Sequence, residues 1–215
     1  MQIQALREGL RGRGFELGAV VVTGVGFVIV GLSFLYIGAA SLFWVAYVLA
    51  RYRWDNDVFS RWGFRREGFR EAAKLSLPFA VAAAAFSITY ALIWGDPVLN
   101  AHFPLLFVLY PPWGVVQQFL VVALIAENLV AVGRGRISEP LAVVLTACGF
   151  AAIHVHDYRL VGATFLLGLV TTSVYFRTKN VWVPGILHGW FATLVYYLVL
   201  GEDPWAELVL GGLRL

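Results

Sequence analysis

Long apolar runs separated by short clusters of charge make up this chain. Leu17–Ala50 carries no charged residue, and further runs follow at Leu75–Trp94, Pro112–Val132, Pro140–His154, Leu160–Phe176 and Val183–Leu200. As a single helix Leu17–Ala50 would be roughly 50 Å long, against a hydrocarbon core about 30 Å thick. Basic residues flank both of its ends, so the chain returns to the side it left. The pattern predicts two tightly connected helices there, with the turn near Tyr36-Ile37-Gly38. The expected architecture is an all-α polytopic transmembrane bundle of about seven spans, in one domain covering 1–215.

Charge placement orients the bundle. Arg7, Arg11 and Arg13 precede the first run, and Arg51, Arg53, Arg61, Arg65, Arg66, Arg70 and Lys74 fill the longest loop. Arg134 and Arg136, then Arg177 and Lys179, occupy later loops on the same side. The opposite loops, 95–102, 156–159 and 201–204, hold only Arg159 as a basic residue. Basic loops face the cytoplasm, which puts the N-terminus inside and the C-terminus outside, in a membrane read as the prokaryotic cytoplasmic membrane. The composition, 60% hydrophobic and 13% charged with a net charge of +3, fits that reading and excludes an ordinary soluble domain.

Several segments carry secondary expectations. Residues 51–74 interleave arginines with Trp54, Phe59, Trp62, Phe64 and Phe69, the composition of an interfacial helix with its rings among acyl chains and its arginines at lipid phosphates. Membrane lipids are thus the expected partner of this stretch, and nucleic acid is not. Trp44, Trp94, Trp113, Trp182 and Trp205 lie near predicted helix ends, where indoles favour the headgroup region. Cys148 reads as a small buried residue. The tail Trp205–Leu215 is too short to span and is expected along the outer face or on the bundle. The first apolar run is too long for a cleaved signal.

Polar side chains inside such runs default to functional candidates. Gln117 and Gln118 are adjacent and project about 100° apart on a helix. His154 closes the Pro140 run, and His188 lies inside the last one between Gly185 and Gly189. His156 reads as a solvated residue at a helix end. No Gly-x-Ser-x-Gly or His-Glu-x-x-His motif is present. No cofactor is expected and no metal, His154 with His188 being the weak alternative ligand pair.

The half from Trp113 to about Tyr197 resembles the CPBP intramembrane proteases, the group related to the type II CAAX prenyl protease. In that family a Glu-Glu-x-x-x-Arg helix is followed by Phe-x-x-x-His and then by His-x-x-x-Asn. Here Phe150-Ala-Ala-Ile-His154 keeps the second motif. The stretch Gly168 to His188, with Tyr175, Arg177-Thr178, Trp182 and Pro184, matches the run into the third. The first motif departs: Gln117-Gln118 replace the glutamates, Val122 the arginine, and Ala192 stands at the final asparagine position. The resemblance implies a glutamate that activates water with a histidine, while the asparagine and second histidine hold the oxyanion. A glutamine amide takes no proton at neutral pH. Losing carboxylate and arginine together leaves a neutral polar site without an unpaired buried charge.

Glu127 is no substitute base, lying nine residues and roughly 13 Å beyond Gln118 on a regular helix. Asp157 is close enough in sequence to orient His154. Counted along their own predicted spans, with the glutamine span starting at Pro112, Gln118 and His154 both fall in the outer half of the bilayer, while His188 is about 9 Å above its cytoplasmic helix start, a mismatch of depth within one expected site. The functional expectation is an integral-membrane endopeptidase in which Gln117, Gln118, His154 and His188 act on a membrane-anchored or lipidated peptide. The alternative is a catalytically silent relative that binds or protects such a partner. A small-solute transporter is disfavoured by the absence of repeated halves.

Overall fold

The computed structural model describes residues 2–31 and 33–206, with side chains from Gly12 onward except that of Phe34. It is helical throughout, with no strand among the described residues. In order come α1 (Gln2–Val30), α2 (Phe34–Trp54), a single turn α3 (Val58–Arg61), α4 (Phe69–Ile93), α5 (His102–Gln118), α6 (Glu127–Gly133), α7 (Glu139–Ala152), α8 (Tyr158–Thr178) and α9 (Trp182–Leu194). Two π-helical segments, Phe119–Ala126 between α5 and α6 and Val195–Leu200 after α9, continue these helices without a break. Six of the resulting segments have the length and composition to cross a membrane, while α7 is apolar but only 14 residues long. The chain is an all-α polytopic bundle.

The first apolar stretch does fold into two helices, but the turn lies at 31–33 and not at 36–38. Gly31 adopts φ 73°, open to a residue without a Cβ. Ser33 caps α2 by accepting from the Tyr36 amide. Tyr36 itself belongs to α2, and its hydroxyl donates to the Thr23 carbonyl at 2.6 Å, pinning the hairpin. Trp44 is buried, with its indole N–H on Thr23 Oγ1, so it is no headgroup anchor.

The loop after α2 corrects a second expectation. It forms no interfacial helix. Trp62 is buried against Phe119, and Phe64 packs on both Phe119 and Trp182. The backbone is sewn to the α8–α9 connection: Val181 N–H donates to Gly63 O, buried Asn180 donates to Arg65 O and Glu67 O, and Arg65 donates to Lys179 O and Thr178 O. These rings cover carbonyl-rich turns that hydrocarbon would leave unsatisfied. Trp54, at 80%, and Phe69, at 41%, stay exposed.

The third correction concerns the glutamine helix, which begins at His102 and runs through Pro111 and Pro112 to Gly133. Proline removes the donor for the carbonyl four residues back. For Pro111 that carbonyl is Phe107 O, and it accepts instead from Trp190 Nε1 at 3.1 Å. A neighbouring indole thus repairs the proline gap. Cys148 faces outward and is exposed, contrary to the expected burial. The tail beyond Ala206 lies outside the described residues.

Candidate functional site

Helices α5 and α9 share the most extensive contact among the described residues, and glycine lies on both surfaces. A Cβ on Gly114 would collide with the Gly185 carbonyl, one on Gly185 with the Val115 backbone, and one on Gly189 with Pro111. Small residues that let backbones touch are the usual device for tight helix association in lipid. Here they place His188, between the two α9 glycines, directly against α5.

Gln118 is the residue it meets. Gln118 Nε2 and His188 Nδ1 are 3.2 Å apart, with the glutamine fully buried and the histidine 5% exposed. The depth mismatch counted from the sequence rested on a helix start at Pro112; the glutamine helix starts ten residues earlier, which puts Gln118 at the middle of the His102–Gly133 segment. The ring of Phe150 joins this pair to His154. Phe150 sits edge-on to His188 at 5.3 Å between centroids and edge-on to His154 at 5.4 Å. Gln118, His188 and His154 therefore gather around one aromatic ring.

Hydrogen bonding sets the tautomer of His154 and limits that of His188. His154 Nδ1 lies 3.0 Å from Phe150 O, and a carbonyl can only accept, so Nδ1 carries the proton and Nε2 the lone pair. At His188 the ring nitrogen Nδ1 faces the Gln118 amide: with the amide nitrogen turned to it the amide donates and the proton lies on His188 Nε2, whereas the exchanged amide accepts from Nδ1–H. In the first arrangement the two imidazoles are complementary: one offers a base, the other a donor. Gln118 Oε1 accepts no hydrogen bond from the protein. Exchanging the amide atoms would strand Nε2 instead, so one end of this amide is orphaned either way.

Other sequence candidates fall elsewhere. Gln117 is half-buried and makes no hydrogen bond among the described residues. His156 is exposed, 3.4 Å from Val28 O. Asp157 does not orient His154: it caps α8 and binds the Arg159 guanidinium, which holds its carboxyl below the usual range. Val122 is fully buried in the apolar core, and Ala192 is half-buried. Glu127 accepts from the Tyr175 hydroxyl at 2.7 Å and faces Lys179 at 3.5 Å, well occupied away from Gln118. Among the described residues no group of three or more His, Cys, Asp or Glu side chains is arranged to hold a metal.

One polar cluster had escaped the sequence reading. Glu16 on α1 is 3% exposed, accepts from Tyr47 Oη and Asn128 Nδ2, and lies 3.7 Å from Arg51 Nε. It ties the N-terminal hairpin to α6. Its only signal was its place at the edge of the apolar run, inside the helix but outside the counted span. No protein-family model, curated protein or solved structure matches the chain.

Proposed function

We propose that this chain is an intramembrane hydrolase that cuts a peptide bond within or beside the bilayer, using His154 as base and His188 as hydrogen-bond donor. The observation that carries the reading is the Gln118–His188 contact, joined to His154 through Phe150 in the middle of a helix bundle. In this scheme His154 Nε2 takes a proton from water as the oxygen attacks the scissile carbonyl. His188 Nε2–H donates to the developing oxyanion, and Gln118 keeps that tautomer in place through Nδ1. The proton on His154 then passes to the leaving amine as the C–N bond breaks. Gln118 is a positioning residue here, with its donor turned to His188.

The resemblance of the Trp113–Tyr197 half to the CPBP proteases supports the reaction class, and the apolar surroundings support a membrane-anchored or lipidated peptide as substrate. The purified protein is tested against such peptides beside His154→Ala, His188→Ala and Gln118→Ala. Loss of His188 should slow cleavage by about 10²–10³ and loss of the base by about 10²–10⁴.

A silent binding relative is the second reading, favoured by the amide in place of a carboxylate and by the complete burial of Val122 where the family has arginine. Gln118→Glu separates the two. It removes the donor that holds the His188 tautomer, so it should slow cleavage if the chain is a protease of this scheme and leave peptide binding unchanged if it is a silent relative. Binding without cleavage by both wild type and Gln118→Glu would decide for the silent relative.

A further inference from the structure

Helices α4 and α5 both pack on α9 yet make little contact with each other, so α9 presents a strip to the bilayer between them. A cleft runs along that strip within the spanning segments. Its floor is α9 from Leu187 to Leu194, one wall is Ala80, Ala83 and Ala84 of α4, and the other is Phe107 of α5. Alanine ends at Cβ, so the α4 wall stands back from the bulky rings of Trp190 and Phe191. Phe79 on Phe191, 5.5 Å between ring centroids, closes the end nearer the starts of α4 and α9. At the other end Gly95 comes so near the π segment that an added Cβ would lie 3.1 Å from Leu198 O. The way in is therefore sideways, past exposed Val81 and Val108, and the cleft is continuous with the lipid-facing surface of the bundle.

The lining selects the chemistry of an occupant. Its one polar side-chain atom is Trp190 Nε1, already spent on Phe107 O at 3.1 Å. A hydroxyl, amide or charged group would be desolvated there without a partner, whereas a hydrocarbon chain needs none. The space is about 430 Å³, within the range of ordinary ligand pockets. Spread over the roughly 10 Å from Leu187 to Leu194, it has a cross-section of about 40 Å², too narrow for a helix about 10–12 Å across with its side chains. One extended chain fits where a helix of a second copy does not.

We propose that this cleft is a binding site for a single acyl chain of a bilayer phospholipid, selected by its hydrocarbon and not by its headgroup. The chain lies on Trp190, whose ring stacks on Phe107 at 5.9 Å between centroids and 16° between planes. That indole serves the carbonyl freed by Pro111, so the chain shields the bond that lets α5 run through its prolines. The inference concerns the outer face of α9 and does not depend on peptide cleavage.

Photolabelling tests the site with a phosphatidylcholine carrying a diazirine midway along one acyl chain. The full chain in detergent micelles is irradiated with increasing amounts of this probe, and adducts are mapped by mass spectrometry. Labelling of 187–194 should saturate at one chain per protein, while labelling of the exposed Leu35, Leu42 and Leu49 face of α2 should rise in proportion to the probe. Ala83→Phe fills the cleft with a ring and should lower labelling of 187–194 by about tenfold. Ala82→Phe should leave it unchanged, because Ala82 is exposed and lies two residues from Ala84, on the opposite side of the helix. A phosphatidylglycerol probe with the same chain should label equally. Labelling of 187–194 that rises without saturation, survives in Ala83→Phe or follows the headgroup overturns the proposal. Labelling lost as the protein is concentrated into dimers would give the cleft to a second copy and overturns it too.

Discussion

Gln118 Nε2 lies 3.2 Å from His188 Nδ1 across the α5–α9 contact, and the orientation of this one amide decides which imidazole nitrogen carries the proton. Among the described residues neither side chain has another protein hydrogen-bond partner, Phe150 meeting the His188 ring only edge-on. Replacing Gln118 by Leu keeps the volume and leaves Nδ1 unpaired in an apolar core. The expected loss is about 1–3 kcal/mol, read by thermal unfolding in detergent. Unchanged stability would mean that the contact contributes nothing.

Glycine contacts set the distance over which that bond forms. Gly185→Ala or Gly189→Ala should push α9 from α5 and cost about 3 kcal/mol, because the added methyl meets backbone and not a movable side chain. Gly149→Ala is the control, since nothing lies within 4 Å of its Cβ position. Equal effects at the three sites would refute the packing argument.

Glu16 holds two hydrogen bonds and the attention of Arg51 at the base of the hairpin. Glu16→Ala leaves the Tyr47 hydroxyl and one Asn128 N–H without their acceptor, Asn128 keeping its bond to Leu124 O, and leaves Arg51 without its carboxylate. A loss of about 2–4 kcal/mol is expected, and Glu16→Gln should recover part of it by keeping an acceptor. Limited proteolysis between α2 and α4 reports whether the hairpin has come loose.

Asp203 gives the acid limb of the stability profile. Burial pushes its carboxyl up, but the hydrogen bonds from His102, Tyr197 and Asn100 outweigh it and hold the group well below the carboxylate range. A carboxyl whose folded value is lowered contributes stability that is fully present above the ordinary aspartate range and is lost as pH falls through the folded value. The gap in melting temperature between wild type and Asp203→Asn should therefore be widest near neutrality and narrow below about pH 4. A gap that widens in acid would reverse the assignment.

Topology follows from the basic clusters. Reporter fusions at Asp57, Pro97, Gly135 and Asp157 should read inside, outside, inside, outside. An outside signal at Asp57 would require Leu17–Ala50 to cross once, against the α1–α2 hairpin.

The sequence by itself determined the class of the protein. Uninterrupted apolar runs leave helices as the only way to satisfy the backbone in lipid, and the length of Leu17–Ala50 demanded a hairpin. It also marked Gln118, His154 and His188, since polar groups in such runs stand out against their neighbours. Tertiary structure decided the rest. Whether Pro111 begins a helix or lies within one depends on Trp190, 79 residues away in the chain, offering its N–H to Phe107 O, and no local pattern contains that donor. Whether Trp62 and Phe64 enter lipid or protein depends on the α8–α9 turn that Asn180 and Arg65 fasten beneath them. The meeting of Gln118 with His188 rests on glycines of two separate helices facing each other, a coincidence of surfaces that only the folded packing creates.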